Sequence, residues 1–349
     1  MKKKIDIRQL SLEQLTDEIV KLGEKPYRAK QVHQWLWKKR AIDFDQMTNL
    51  SKSFRKLIEN NFIINALVLS EAQISSDKTI KNAFLLADNS VIEGVLIPTK
   101  KRMTACVSVQ VGCSLDCAFC ATGKLKRVRN LNADEIYDQV VMINDQSQKE
   151  YSISISNIVY MGMGEPLLNY KNVLLSVDRI TSEDGLGMSA KRITISTAGI
   201  YKKIISLADD KVKFNLALSL HAANDEKRNK IMPINESNSL NSLKEAMIYF
   251  SEMTGTRPTL EYIIFKDFND EISDAEELVQ FAKSFPSKIN IIEYNSIDEG
   301  KYQQATVKKV DAFASYLESK NLIVNIRRSR GKDIDAACGQ LANKNELAR

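Results

Sequence analysis

No stretch of this 349-residue chain approaches the roughly 18 consecutive apolar residues that a membrane-crossing helix needs. No leader segment is expected either. The lysines at positions 2–4 are followed by Asp6 and Arg8 where an apolar core would stand, so a cytoplasmic location is expected. Five cysteines are too few for a disulfide framework in a chain of this length. No heptad seam or long apolar edge calls for a partner chain, and a monomer is expected. The composition is otherwise that of a globular protein, with 44% hydrophobic and 27% charged residues, and the length suggests two or more structural units.

Charge is unevenly placed. Residues 1–60 hold 14 Lys/Arg against 8 Asp/Glu, which accounts for the whole net charge of +6. Further basic clusters occur at Lys124, Lys126, Arg127 and Arg129, and at Arg327, Arg328, Arg330 and Lys332. Such patches suit a polyanion such as RNA through phosphate contacts and counterion release, although a solvated basic face is the competing reading.

The first 75 residues read as a mainly helical unit. Leu10, Leu12 and Leu15 begin one amphipathic stretch, and Val32, Trp35 and Leu36 share a side of a second over 27–40. Phe44, Met47, Leu50, Phe54 and Leu57 suggest a third. These apolar residues, with both tryptophans and His33, are expected in the core of that unit rather than on RNA. Residues 80–86 and 91–97 are β-rich and flank a turn-forming Ala-Asp-Asn-Ser, which predicts a hairpin linking residues 76–104. From Ala105 strand-like runs recur near 106–111, 157–161, 192–196, 214–220, 259–265, 289–294 and 322–327. Helical stretches such as 132–146, 271–283 and 305–319 separate them. The alternation predicts an α/β fold with a parallel sheet over residues 105–349. Seven units at most fall short of a closed eight-fold barrel, so an open, partial β/α barrel is expected, with function at the carboxyl ends of its strands.

Three of the five cysteines crowd into eight positions, as Cys113-x3-Cys117-x2-Cys120, directly after the first of these strands. Three soft thiolates on one short loop can hold three irons of a [4Fe–4S] cube and leave the fourth open. A structural zinc would want a fourth Cys or His at finger spacing, and none lies near. After the second strand comes Met161-Gly-Met-Gly164-Glu165-Pro166, whose glycines permit close backbone approach and whose acid suits an ammonium.

Both segments resemble the signatures of the radical S-adenosylmethionine (SAM) superfamily. Ala105–Gly112, Ile195-Ser196-Thr-Ala-Gly199, Leu218-Ser219-Leu220-His221, Ile231–Asn235 and Asp333–Leu341 narrow the likeness. Together they resemble the RNA adenine methyltransferase family of RlmN and Cfr, from about Gly23 to Leu341. Gly164–Asn169 and Val91–Pro98 follow the RlmN style rather than that of Cfr. Lys124–Arg129 and Phe265–Asn269 depart from the usual RlmN pattern, which bears on loop and RNA contacts only.

The resemblance implies a radical route to methylation of C2 of adenosine in 23S rRNA and in tRNA. It assigns Cys113, Cys117 and Cys120 to the [4Fe–4S] cluster, and Gly164, Glu165, Ser196, Ser219, Leu220, His221 and Asn295 to SAM. It makes Cys338 the carrier of the methyl group, Glu93 the proton acceptor and Cys106 the thiol that closes a transient disulfide with Cys338. A one-electron donor such as flavodoxin or ferredoxin is implied. Taken alone, Glu93 would be an ordinary hairpin carboxylate and His221 a structural histidine. One difficulty is geometric. If residues 106–113 form a single strand, Cys106 lies up to about 23 Å from Cys113 at about 3.3 Å per residue, whereas a disulfide needs Cα atoms within about 7 Å. Either that segment bends or the loop carrying Cys338 moves, and a mobile loop is expected. The alternatives are Cfr-type methylation at C8, or a non-catalytic RNA-binding protein stabilised by a cysteine-bound metal.

Overall fold

The computed structural model describes residues 4–100 and 102–344, so Lys2 and Lys3 of the basic N-terminal stretch and the last five residues lie outside it. Near the N-terminus, β1 (Ile5–Asp6) pairs in parallel with β2 (Phe62–Ile63). Between them lie α1 (Leu12–Lys21), α2 (Tyr27–Trp37) and α3 (Lys52–Asn61). Ser11 starts α1 through a capping box with Gln14, and the Ser51 hydroxyl accepts from Phe54 N to start α3. The third helical stretch expected from Phe44 onward begins only after Ser51. Phe44, Met47 and Leu50 are buried, but from a single 3₁₀ turn (Phe44–Gln46) and the irregular chain that leads to this cap. Trp37 is buried, Trp35 packs partly against the core, and Tyr137 donates to Trp37 O at 3.0 Å. His33 is buried against Arg179, 3.0 Å away, and burial together with that cation lowers its pKa. It is a structural residue.

The main sheet begins with β3 (Val68–Ile74), β4 (Ile80–Leu85), β5 (Val91–Pro98) and β6 (Met103–Cys106), all antiparallel neighbours. The predicted hairpin is β4–β5, and it belongs to this sheet rather than standing apart. Its edge partner β3 was not foreseen. The short β7 (Gln110–Val111) and β8 (Arg129–Asn130) form a separate ribbon that brackets the cysteine loop. Six further strands follow: β9 (Asn157–Tyr160), β10 (Ile193–Thr197), β11 (Asn215–Ser219), β12 (Thr259–Ile264), β13 (Lys288–Glu293) and β14 (Val324–Arg327). Together with β6 they are parallel to their neighbours, in the order β6-β9-β10-β11-β12-β13-β14.

The intervening helices are α4 (Ala133–Tyr151), α5 (Tyr170–Thr181), α6 (Tyr201–Asp209), α7 (Asp225–Ile231), α8 (Leu240–Thr254), α9 (Ile272–Ala282) and α10 (Val307–Ser319). Strand β12 is buried along its whole length, as a parallel strand covered on both faces should be. The architecture is the open, partial β/α barrel expected. Its first strand is displaced, however: β6 ends at Cys106 instead of running on to Val111.

The N-terminal helices meet the barrel at a buried ionic cluster. Arg8, 6% exposed, reaches Asp138 at 2.7 Å and Asp134 at 3.2 Å on α4, and Asp6 lies 3.7 Å away. One cation among three carboxylates is a poor balance. Desolvation and the neighbouring acids push the Asp134 pKa up to about 7, against the opposing pull of Arg8.

Candidate functional site

At the carboxyl ends of the strands lies a cavity of about 230 Å³. Its lining includes Cys106, Cys113, Cys117, Cys120 and Cys338, all five cysteines of the chain. Gly164, Glu165, Ser196, Ser219 and His221 share it.

The cysteine loop owes its path to Gly112. Its φ is +72°, and a Cβ there would sit 2.2 Å from Lys126 O, so only glycine fits where the two sides of the loop meet. Backbone bonds then fix the loop: Cys113 N to Leu125 O at 3.2 Å, Cys120 N to Cys117 O at 3.1 Å, Ala118 N to Ile231 O at 2.9 Å. Burial raises the thiol pKa of all three cysteines, that of Cys113 to about 11. Among the described residues no three His, Cys, Asp or Glu side chains converge on one ion. A tetrahedral zinc gathers its sulfurs about 2.3 Å from a single centre, whereas a cube spreads three thiolates over three irons. Three soft thiolates lining one cavity from one short loop, with no fourth Cys or His on that loop, are the donor set that suits the cube.

The loop after β9 closes the opposite wall. Met163 O accepts from Val109 N and Gln110 N, at 2.8 and 3.2 Å, and Ser108 Oγ accepts from Met163 N at 2.8 Å. Gly164 (φ +95°) turns the chain so that Glu165 N donates to Gln110 Oε1 at 2.9 Å. The Glu165 carboxylate is buried, which raises its pKa. It accepts from Ala198 N at 2.7 Å and Leu167 N at 2.9 Å, two amides that offset the burial. Ser196 and Ser219, at the ends of β10 and β11, stand with hydroxyls 3.3 Å apart. His221 adopts a left-handed backbone (φ 57°), and its Nδ1 accepts from Ile263 N at 3.1 Å. Burial and the nearby Arg228 lower its pKa to about 3, so the ring is neutral and directs Nε2–H elsewhere.

The remaining expected residues lie around this wall rather than on it. Leu220 is fully buried, with its N–H on Glu261 O at 3.0 Å. Asn295 donates from Nδ2 to Cys338 O at 3.2 Å, while its Oδ1 is buried without a partner. Glu93 is enclosed on β5: Oε2 accepts from Ala342 N at 2.9 Å and Asn343 N at 3.0 Å, with Lys81 Nζ 3.8 Å from Oε1.

Cys338 projects into the open cavity while its segment is held on both sides. Ala121 N donates to Gly339 O at 2.7 Å, Thr122 Oγ1 to Leu341 O at 2.6 Å, and Gln340 Nε2 to Ser296 O at 3.0 Å. Ala336, Ala337 and Leu341 are buried. These contacts anchor residues 336–341, while Arg328, Lys332, Asp333 and Cys338 itself are exposed. Because β6 stops at Cys106 and the chain reverses after Gly112, Cys106 and Cys338 face one cavity. Cys338 is near enough that its charge helps push the Cys106 pKa up to about 12, after burial as the main cause. All five thiols are free, so the expected disulfide is not formed in this structure.

Three residues were not expected in the site: Arg327, which the sequence offered only as one of a basic cluster, Glu261 and Arg228. Arg327 lines the cavity and lies 3.5 Å from the buried Glu261, its charge favouring the thiolates of both Cys338 and Cys106. Arg228 lies buried on α7. Its position three residues before Ile231, on the same helical face, was the available signal.

Comparison with known proteins agrees with this geometry. Residues 107–282 match the Radical SAM superfamily, and residues 5–64 match the ribosomal RNA large subunit methyltransferase N-terminal domain. A crystal structure of a radical SAM methyltransferase from Sphaerobacter thermophilus superposes with a TM-score of 0.90 at 35% identity, covering 97% of this chain and 99% of that one. A relative in Cytophaga hutchinsonii, named a probable dual-specificity RNA methyltransferase RlmN, is 59% identical over 98% of this chain and 94% of its own length. A relative of the same name in Fervidobacterium nodosum is 43% identical over 97% of each. Fold, cysteine loop and matched segment define a radical SAM enzyme, with a [4Fe–4S] cluster and SAM as its cofactors. Within that class, the chain belongs to the RlmN family of RNA methyltransferases.

Proposed function

We propose that this enzyme methylates C2 of adenosine in 23S rRNA and in tRNA, with Cys338 as the covalent carrier of the methyl group. The observation that carries the reading is the placement of Cys106 and Cys338 in one cavity with the three-cysteine loop and Glu165. An adenine ring carbon at C2 has no lone pair with which to displace a methyl group, so ordinary transfer is closed. When bound, the cluster and SAM supply a methyl group and a one-electron cleavage that yields a hydrogen-abstracting radical.

The chain's own residues do the rest. Cys113, Cys117 and Cys120 hold the cluster, while Glu165 and the Gly164 turn receive the SAM amino group. Ser196, Ser219, Leu220, His221 and Asn295 complete that pocket, Leu220 and Asn295 by fixing backbone rather than by facing the cavity. Cys338, as a thiolate, takes the methyl on Sγ; after loss of one hydrogen its carbon bonds to C2 of the base. The radical adduct would return one electron to the bound cluster while Glu93 accepts the C2 proton. Cys106 then attacks Cys338 Sγ, forming an S–S bond that an external thiol reductant reopens; the S–C bond breaks with its electron pair left on the methylene carbon, which takes up a proton to become the methyl group. Because Ala342 N and Asn343 N donate to Glu93, the proton transfer to Glu93 requires these two residues to move aside as RNA enters. The basic N-terminal helices, residues 1–75, serve as the RNA-gripping unit, joined through the 76–104 hairpin to the catalytic unit at 105–349. The enzyme works as a cytoplasmic monomer with a small one-electron donor, flavodoxin or ferredoxin.

Paired substitutions test the reading. Cys338→Ala should keep a normal iron content and SAM cleavage yet form no methylated RNA, whereas Cys117→Ala should lose iron and turnover together. Methylation by Cys338→Ala would rule out the carrier role.

A further inference from the structure

Arg228 is fully buried, and every acceptor it reaches is neutral. Nε donates to Leu220 O at 3.0 Å, Nη1 to Asn235 Oδ1 at 2.6 Å, and Nη2 to Ala198 O at 2.6 Å and Ser219 O at 3.1 Å. The acid nearest in this network, Asp225, is reached only through Asn235, whose amide donates to Asp225 Oδ1 at 2.7 Å. Hydrogen bonds to carbonyls satisfy the guanidinium's donors but not its charge. An enclosed cation without a contacting anion costs several kcal/mol unless another charge answers it.

The direction in which that charge lies follows from α7. The helix ends against the cysteine loop, where Ile231 O accepts from Ala118 N, the residue next to Cys117. Cys117 lies in one buried cluster with Ile231 and Ala198, beside the end of α7 that carries Arg228, and as a ligand of the iron–sulfur cluster it brings negative charge to that side. The three backbone carbonyls it gathers belong to the ends of β10 and β11. Ala198 among them also offers its N–H to Glu165, and Ser219 lines the cavity. One side chain thus ties the two strand ends to the floor beneath the cysteine loop.

We propose that Arg228 is a positioning residue that acts as the internal counter-cation of the cysteine-bound cluster, raising its reduction potential, while its fork fixes the strand ends facing SAM. This rests on the assignment of Cys113, Cys117 and Cys120 as cluster ligands. The logic is electrostatic. Reduction adds one negative charge to the site, delivered by an external one-electron donor with no bond made or broken, and a fixed buried cation beside the cysteine loop favours the added charge.

The test is a potentiometric titration of the anaerobically reconstituted full-length enzyme with dithionite and mediator dyes, read by the electron paramagnetic resonance of the reduced cluster. Arg228→Gln should shift the reduction equilibrium about tenfold toward the oxidised form, 59 mV for a one-electron couple. Arg228→Lys keeps the charge and loses the fork. Its reduction equilibrium should stay within about 1.3-fold of wild type, well inside the shift expected of the charge-removing variants, while its SAM dissociation constant rises. If Arg228→Gln does not load iron, the exposed Asp225→Asn carries the test, with an expected shift of about twofold toward the reduced form. An iron-loaded Arg228→Gln or Asp225→Asn enzyme with an unmoved potential overturns the inference alone. A wild-type protein that takes up no iron overturns the cluster assignment beneath it as well.

Discussion

Glu165→Gln removes one negative charge from the cavity wall and leaves the shape of the wall intact. The carboxylate is 3% exposed and already accepts from the amides of Ala198 and Leu167. Glutamine keeps one acceptor oxygen and turns an amide NH2 toward the other backbone N–H, which costs the fold about 1–3 kcal/mol. The incoming SAM ammonium separately loses a charge-assisted partner, a hydrogen bond worth about 1.5–3 kcal/mol. Only the second term enters binding, so the SAM dissociation constant should rise about 10- to 150-fold. Equilibrium dialysis of the anaerobically reconstituted protein measures it. 5′-Methylthioadenosine, which lacks the amino-acid portion, serves as control: its affinity should change by less than about threefold. An iron-loaded variant that binds SAM within twofold of wild type would refute the assignment of Glu165 to the ammonium.

Other sites give independent checks. Gly164→Ala combines a left-handed φ with a Cβ 2.5 Å from Gln110 Cβ, so denaturant unfolding should show a loss of about 2–4 kcal/mol; an unchanged midpoint would contradict the structure of this turn. Glu93→Gln should lower kcat for RNA methylation by about 10²–10⁴-fold while RNA affinity holds, and an unaffected kcat would remove Glu93 as proton acceptor. The Asp134 pKa is raised to about 7 from 3.8, so the folded state binds its proton more tightly than the unfolded chain does. Its stabilising contribution is complete below about pH 4 and is lost as pH rises to about 7. Relative to Asp134→Asn, wild type should therefore lose roughly 1–3 kcal/mol between pH 5 and pH 8 in denaturant titrations, and parallel pH profiles would exclude the effect.

The parts of the fold that were legible in sequence are those set by local pattern. The alternation after Ala105 gave seven parallel strands and an open barrel because each strand and helix carries its own periodicity. The first strand was misplaced because Cys106–Val111 contains no Gly, Pro, Asn or Asp to mark a turn. What ends β6 is the loss of its neighbours: β5 and β9 pair with it only as far as Cys106, and Ser108 and Val109 instead answer Met163. The spacing of Phe44, Met47 and Leu50 mimics a helix, yet the Ser51 cap starts the helix later. Strand β3 escaped notice as an exposed edge with little apolar alternation.

The site divides in the same way. Cys113, Cys117 and Cys120 were legible because they share one short loop. The nearness of Cys106 to Cys338 spans more than half the chain, and no local rule predicts it; resemblance supplied that pairing. Arg228 stayed hidden because a helical arginine among Lys227 and Lys230 reads as solvent-facing until its carbonyl acceptors are seen.

The most direct measurement is nucleoside analysis by mass spectrometry after anaerobic incubation of the reconstituted enzyme with SAM, a one-electron reductant, and transcripts of 23S rRNA and tRNA. The account predicts 2-methyladenosine in both RNAs, abolished by Cys338→Ala. Appearance of 8-methyladenosine, or 2-methyladenosine that persists without Cys338, would contradict it.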